Sequence, residues 1–215
     1  MDDMMMGPQA ELDQSRLGMT TVGEVDLNIS PGEREVLRRL AGRVAELAAR
    51  PIEDEKRELW YRHNALEPTR PVIFCDPENG WTEIIPARSL ECKGVLARRW
   101  EMYLRKEVFW GAEMGDDYVI DPVFDVPHVH EEIGWGLKEV QLGGELGGTT
   151  AIRWEAPLKE REDLQKLRYP EIKVDHETTA RLVDLAEDIF GDLLTVRVRT
   201  QWCWSLGLTV NYVIL

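Results

Sequence analysis
The chain has 215 residues, 43% of them hydrophobic and eight of them Trp, which is enough for a sizeable core and too apolar for global disorder. Its formal net charge of −14 opposes a phosphate backbone or an anionic membrane surface, both of which call for clustered Lys and Arg, so neither nucleic acid nor membrane is an expected partner. Cys75, Cys92 and Cys203 are widely spaced with no CxxC pair and define neither a disulfide framework nor a self-contained zinc site; an acidic N-terminus and the lack of a run of about 18 apolar residues point to a soluble, cytoplasmic protein.

In chain order, residues 1–29 show no sustained period and are expected to be a flexible leader. Ser30-Pro31 reads as an N-cap followed by proline at the first helical position. Val36, Leu37, Leu40, Val44 and Leu47 then recur at helical spacing, predicting a helix that ends near Arg50-Pro51. A second helix from Glu53 to Leu66, with Leu59, Trp60, His63 and Leu66 on one face, completes a helical extension over residues 30–68.

Pro71 to Cys75 is a short run of strand formers followed by Asp76-Pro-Glu-Asn-Gly-Trp81. As a βα loop this places Asp76, Glu78 and Trp81 at a pocket rim; as an ordinary turn, Asp76 or Asn79 caps backbone amides. Ser89 to Trp110 is the longest helical signal, with Leu90, Val95, Leu96, Trp100, Tyr103, Leu104 and Val108 as its stripe and Glu91, Arg98, Glu101 and Arg105 facing water. Cys92 reads as a buried free thiol.

The stretch Gly115 to Gly136 is the densest in chemistry. It sets Asp116, Asp117, Asp121, Asp125, His128, His130, Glu131 and Glu132 around Tyr118 to Ile120, which reads as a buried strand ending before Asp121 because Pro122 and Pro127 would delete ladder donors. Carboxylates and imidazoles beyond a strand's carboxyl end suit proton transfer or metal binding. Asp121, Asp125 and His128 are therefore the candidate catalytic residues, and His130 a substrate contact. His128 and His130 share a face in extended structure, but zinc needs at least a third ligand, so no metal residue is assigned.

The glycines from Gly143 to Gly148 lack the lysine of a phosphate loop and read as a hairpin turn between strands at Val140–Leu142 and Thr149–Trp154. Asp175 caps a helix from His176 to Phe190, with Leu182, Leu185 and Ile189 inward and His176 exposed. A last strand, Leu194 to Thr200, leads into Gln201-Trp-Cys-Trp204, where Trp202 and Trp204 are expected to wall a substrate pocket.

The order of Arg57-x-x-Trp60, Asn64, Arg70-Pro71-Val72, Trp81-x-Glu83, Glu91-Cys92, the Arg98 to Arg105 helix, Asp117, Asp121-Pro122 and Gly134-x-Gly136 resembles the N-terminal part of the uroporphyrinogen decarboxylase superfamily. The resemblance covers about Pro51 to Leu215 and is closest to the branch containing methylcobamide:thiol methyltransferases. It implies an α/β fold, a partial (β/α)8 TIM barrel of about three strands over residues 69–215 behind the helical extension. A complete barrel takes about 250 residues, so the resemblance makes this the truncated front of a larger enzyme.

In the decarboxylases an aspartate after the second strand holds the pyrrole nitrogens, and Asp121 or Asp125 falls in that region. Their substrate-carboxylate loop carries arginine, whereas this chain has the acidic Asp76 loop, poorly suited to a polycarboxylate porphyrinogen. The resemblance thus implies corrinoid-dependent methyl transfer to a thiol or related acceptor, acting on a small molecule with a corrinoid protein as partner. The family's zinc ligands, a histidine and two cysteines, lie in the later half of the barrel, so no cofactor is expected in this portion. The alternatives are a non-catalytic assembly subunit that self-associates through an open barrel edge, or a decarboxylase or lyase using Asp121 and Asp125.

Overall fold
The computed structural model describes residues 26–77, 80–133, 136, 140–143, 152–169 and 171–199. They fall into two compact units. The described part of the first covers residues 26–126 and 180–198, that of the second residues 127–179 and Arg199. The leader up to residue 25, Glu78, Trp202, Cys203 and Trp204 lie outside the described residues.

In the first unit, helix α1 (Pro31–Ala48) starts on a reciprocal capping box. Ser30 N–H donates to Glu33 Oε2 at 3.0 Å and Glu33 N–H to Ser30 Oγ at 3.4 Å, with Pro31 behind them. Its buried stripe is Leu37, Ala41, Val44 and Leu47. Helix α2 (Pro51–Asn64) follows after two residues and docks differently from the apolar face expected of it, since its one buried residue is Glu53. Side chains at helical spacing reach the backbone of residues 117–120. Glu53 accepts from Ile120 N–H at 2.9 Å, Lys56 Nζ donates to Tyr118 O at 3.0 Å, and Trp60 Nε1 donates to Asp117 O at 2.7 Å.

These bonds explain why Tyr118 to Ile120 is not the strand its apolar run suggested. The backbone groups that a ladder would use are taken by α2, and strand β1 (Val123–Pro127) begins only beyond Pro122. Pro71 to Cys75 forms no regular strand for a related reason. The alternate amides of Ile73 and Cys75 donate to the carboxylates of Asp117 and Asp116, at 2.8 and 2.9 Å, in place of neighbouring carbonyls.

A helical turn, α3 (Trp81–Ile84), leads by way of Glu91-Cys92 to helix α4 (Val95–Phe109), which continues into a π-helical turn, Trp110–Met114. Glu101, assigned by periodicity to the solvent face, is fully buried. It accepts from the amides of Glu91 and Cys92, at 2.9 and 2.8 Å, and from Arg105 Nε at 2.8 Å. Helices α1 and α4 pack closely against each other, and Trp110 meets Trp81 edge-on at 4.6 Å and stacks on Tyr118 at 4.5 Å.

Strand β1 is hydrogen-bonded to the last described strand, β6 (Thr195–Arg199), which follows helix α5 (His176–Phe190). Thr195 N–H donates to Pro122 O at 2.8 Å, and two residues further on Arg197 reaches Asp125. The contacts advance together along both segments, as in a parallel pair, and the chain between them runs through residues 128–175 before helix α5. Phe124, on one face, packs against Trp100 and Tyr103 of α4 and Phe190 of α5, at ring separations of 5.3, 5.4 and 4.4 Å.

The second unit carries strand β2 (Val129–Ile133), the hairpin of β3 (Val140–Gly143) with β4 (Ile152–Glu155), and strand β5 (Glu171–Asp175). Both of its pairs are antiparallel, β2 with β5 and β3 with β4. Strands β3 and β4 stand where the sequence reading placed a pair of strands, the turn between them (144–151) lies outside the described residues, and neither β2 nor β5 was anticipated. No barrel closes among the described residues, whose strands form three two-stranded sheets.

Candidate functional site
Each acid of the 116–125 stretch has a fixed partner. Asp117 accepts from Arg70 Nη1 and Nη2, at 2.8 and 2.5 Å, and from Ile73 N–H at 2.8 Å. The Arg70 guanidinium, helped by that amide, holds its carboxyl down to about 2 against the opposing effect of burial. Asp116 is buried and accepts from the amides of Cys75 and Tyr118. Both join the 71–75 segment to the 116–118 segment and are spoken for by that task.

Asp121 and Asp125, paired by the sequence reading, are treated differently by the fold. Asp121 lies ahead of β1 and takes Arg57 Nη2 of α2 at 2.8 Å, while remaining 57% exposed. Asp125 is inside β1, 11% exposed, and meets Arg197 of β6 side by side: Nε to Oδ1 at 2.6 Å and Nη2 to Oδ2 at 3.0 Å. The alternation of the strand puts this pair on the face opposite Phe124 and the helices. A carboxylate gripped by a guanidinium is an acceptor and carries no proton to give. Arg197, in turn, is held above its ordinary range by the Asp125 bond.

Asp76 and Trp81, the rim candidates, are joined by a 2.9 Å bond from Trp81 Nε1 to Asp76 Oδ1. Trp81 is fully buried, with Lys106 Nζ 5.4 Å from its ring centre, so it is a core wall and not an exposed contact. An open apolar groove of about 290 Å³, lined by Leu40, Ile84, Ile85, Val108 and Phe109 among others, gathers none of the nominated residues.

In the second unit, His130 Nδ1 donates to the carbonyl of His128 at 3.0 Å. His128 Nδ1 is buried with no hydrogen-bond partner among the described residues, and its ring stands edge-on to His176. Among the described residues no group of three or more His, Cys, Asp or Glu is arranged to hold a metal ion, and no helix is long and apolar enough to cross a membrane.

Sequence reasoning gave Arg197 no partner, and it missed the tasks of Glu53 and Arg57. The signal for α2 was legible: Glu53, Arg57 and Trp60 recur at helical spacing, a polar stripe where an apolar one was sought. Comparison of the chain with protein-family models, curated proteins and solved structures returns no match.

Proposed function
We propose that this chain is the front part of an enzyme of the uroporphyrinogen decarboxylase superfamily, working by corrinoid-dependent methyl transfer to a thiol or related acceptor. The observation that carries the reading is the pairing of β1 with β6, with helices on one face of the strands and the Asp125–Arg197 pair on the other. Parallel strands are ordinarily covered on both faces, and in a (β/α) barrel the face turned from the helices is the interior. Asp125 and Arg197 are then interior residues of the first two strands, and the irregular 71–77 segment belongs to the extension.

On this reading Asp125, oriented by Arg197, accepts a hydrogen bond from the substrate or its methyl acceptor. Asp121, tied to Arg57 at the amino end of β1, is a structural residue. That separation weighs against a decarboxylase or lyase working through both acids.

The family's zinc does not fit the cysteines described. Cys92 is buried and accompanied by Glu101, its thiol pushed up to about 12, the reverse of what a thiolate ligand needs, and Cys75 is exposed without a ligand cluster around it. The half-exposed side chain of Arg197 also favours a second reading, an assembly subunit whose sheet face is covered by a partner or a second copy.

The test is a product assay on the native gene product, supplied with methylcob(III)alamin and a small thiol, following the cobalt–methyl absorbance and the thioether by mass spectrometry. Thioether formation is the expected result. Carbon dioxide release from a carboxylated substrate without methyl transfer would replace the reading with a decarboxylase, and a stable complex without turnover would replace it with an assembly role.

A further inference from the structure
We propose that Trp81, Trp110 and Tyr118 form a one-electron relay out of the buried core, with the Glu107 carboxylate as the acceptor for the Tyr118 proton. Its co-reactant is a strong one-electron oxidant of the radical class, such as the carbonate radical anion. Indole and phenol rings are the aromatic side chains that such oxidants attack, and electrons pass readily between rings in contact. Trp110 lies 4.6 Å from Trp81 and 4.5 Å from Tyr118 between ring centres. The two tryptophans are fully buried, and Tyr118 is half-buried.

Hydrogen bonds set the order of the three rings. Tyr118 Oη donates to Glu107 Oε1 at 3.0 Å, and Glu107 is itself buried on α4. A phenol that loses an electron becomes a strong acid, so its proton passes along that bond. The oxidant gains one electron, Tyr118 becomes a neutral phenoxyl radical, and Glu107 becomes a carboxylic acid. Trp110 Nε1 donates to the carbonyl of Cys75 at 3.1 Å, which takes no proton. Trp81 Nε1 does donate to a carboxylate, Asp76 Oδ1 at 2.9 Å, but Lys106 Nζ lies 5.4 Å from the Trp81 ring centre. A cation in that position disfavours a positive charge on the indole. An electron vacancy on Trp81 therefore moves to Trp110 and settles on Tyr118.

Phe74 covers the outer end. Its half-exposed ring lies 5.8 Å from Trp110 and 5.7 Å from Tyr118. A benzene ring resists oxidation, so Phe74 is a spacer between a surface oxidant and the rings behind it. Packing alone accounts for the rings but not for the hydroxyl. Phenylalanine at position 118 would fill the same space, whereas the tyrosine is paired with a carboxylate withdrawn from solvent, an arrangement that desolvation opposes. The inference is independent of the methyl-transfer reading.

The experiment is flash oxidation of the intact chain by photogenerated tris(bipyridine)ruthenium(III), with tyrosyl and tryptophanyl radicals followed by transient absorption. Tyr61 and Tyr169 are 64% and 90% exposed, so the reference protein carries Tyr61→Phe and Tyr169→Phe to remove phenols that the oxidant reaches directly. A tyrosyl radical that grows in as a tryptophanyl radical decays is expected, and Tyr118→Phe should abolish it. Glu107→Gln should slow its appearance at least about tenfold by removing the proton acceptor, at unchanged far-UV circular dichroism. Trp110→Phe, which keeps a ring in place, should lower its yield. No tyrosyl radical in the reference protein, one that survives Tyr118→Phe, or one indifferent to both Glu107→Gln and Trp110→Phe would overturn the relay. Should either of the last two variants fail to fold, Tyr118→Phe decides, since it removes only a hydroxyl.

Discussion
Asp125 and Arg197 meet through two parallel hydrogen bonds across adjacent strands, a largely buried carboxylate held by a half-exposed guanidinium. Arg197→Ala leaves that carboxylate without its charge partner. We expect a loss of about 1–3 kcal/mol in urea unfolding, with Arg197→Lys recovering only part because one ammonium cannot replace the fork. An unchanged urea midpoint for Arg197→Ala would show that the pair does not help hold β6 on β1.

The Asp117 carboxyl is held at about 2 by Arg70 and that of Glu33 at about 2, where bonds from Gly94 N–H, Ser30 and Lys93 N–H outweigh burial. Both lie below their ordinary values of 3.8 and 4.5, so both stabilise the fold above the unfolded values. That stability is lost as pH falls from about 4.5 toward about 2. Thermal midpoints measured down this window should fall, and Asp117→Asn should lower the midpoint at neutral pH and flatten the acid slope. A variant with the wild-type slope would contradict the assignment.

Cys92 is 1% exposed, and burial followed by the Glu101 bond pushes its thiol up to about 12, while Cys75 is exposed. Alkylation at mildly alkaline pH, read by peptide mass spectrometry, should modify Cys75 in the native protein and reach Cys92 only after denaturation. Equal labelling rates at the two sites would show that the Glu91-Cys92 segment opens readily.

Gly111 sits in the π-helical turn where a Cβ would come within 3.0 Å of both Ile120 Cγ1 and Leu47 Cδ1. Gly111→Ala should therefore destabilise by about 1–3 kcal/mol through overpacking between α1 and residue 120. A stability equal to wild type would mean that Leu47 and Ile120 move aside without cost.

Helices were largely legible in the sequence because their apolar spacing and caps are local. The Ser30-Pro31 start, the Asp175 cap and the stripe through Leu182 and Ile189 all stand where the pattern put them. The extended segments were read less well. Tyr118 to Ile120 and Pro71 to Cys75 have strand composition, yet their amides and carbonyls are met by Glu53, Lys56, Trp60, Asp116 and Asp117, side chains distant in sequence. Strand β5 escaped notice although Ile172 and Val174 alternate with Glu171, Lys173 and Asp175, a period-two pattern hidden between Pro170 and a strong helix start. The stretch with the candidate acids stood out from composition alone; which acid faces away from the helices did not, because that depends on where β1 begins.

The measurement that bears most directly on the account is the rate of methyl loss from methylcob(III)alamin to a thiol, catalysed by the native gene product with Asp125→Asn beside Asp121→Asn. The account predicts a fall of about ten- to a hundredfold for Asp125→Asn, the loss of one charge-assisted hydrogen bond, and a rate near wild type for Asp121→Asn. Equal rates for Asp125→Asn and wild type, a comparable loss for both variants, or no methyl transfer by the wild-type protein would contradict it.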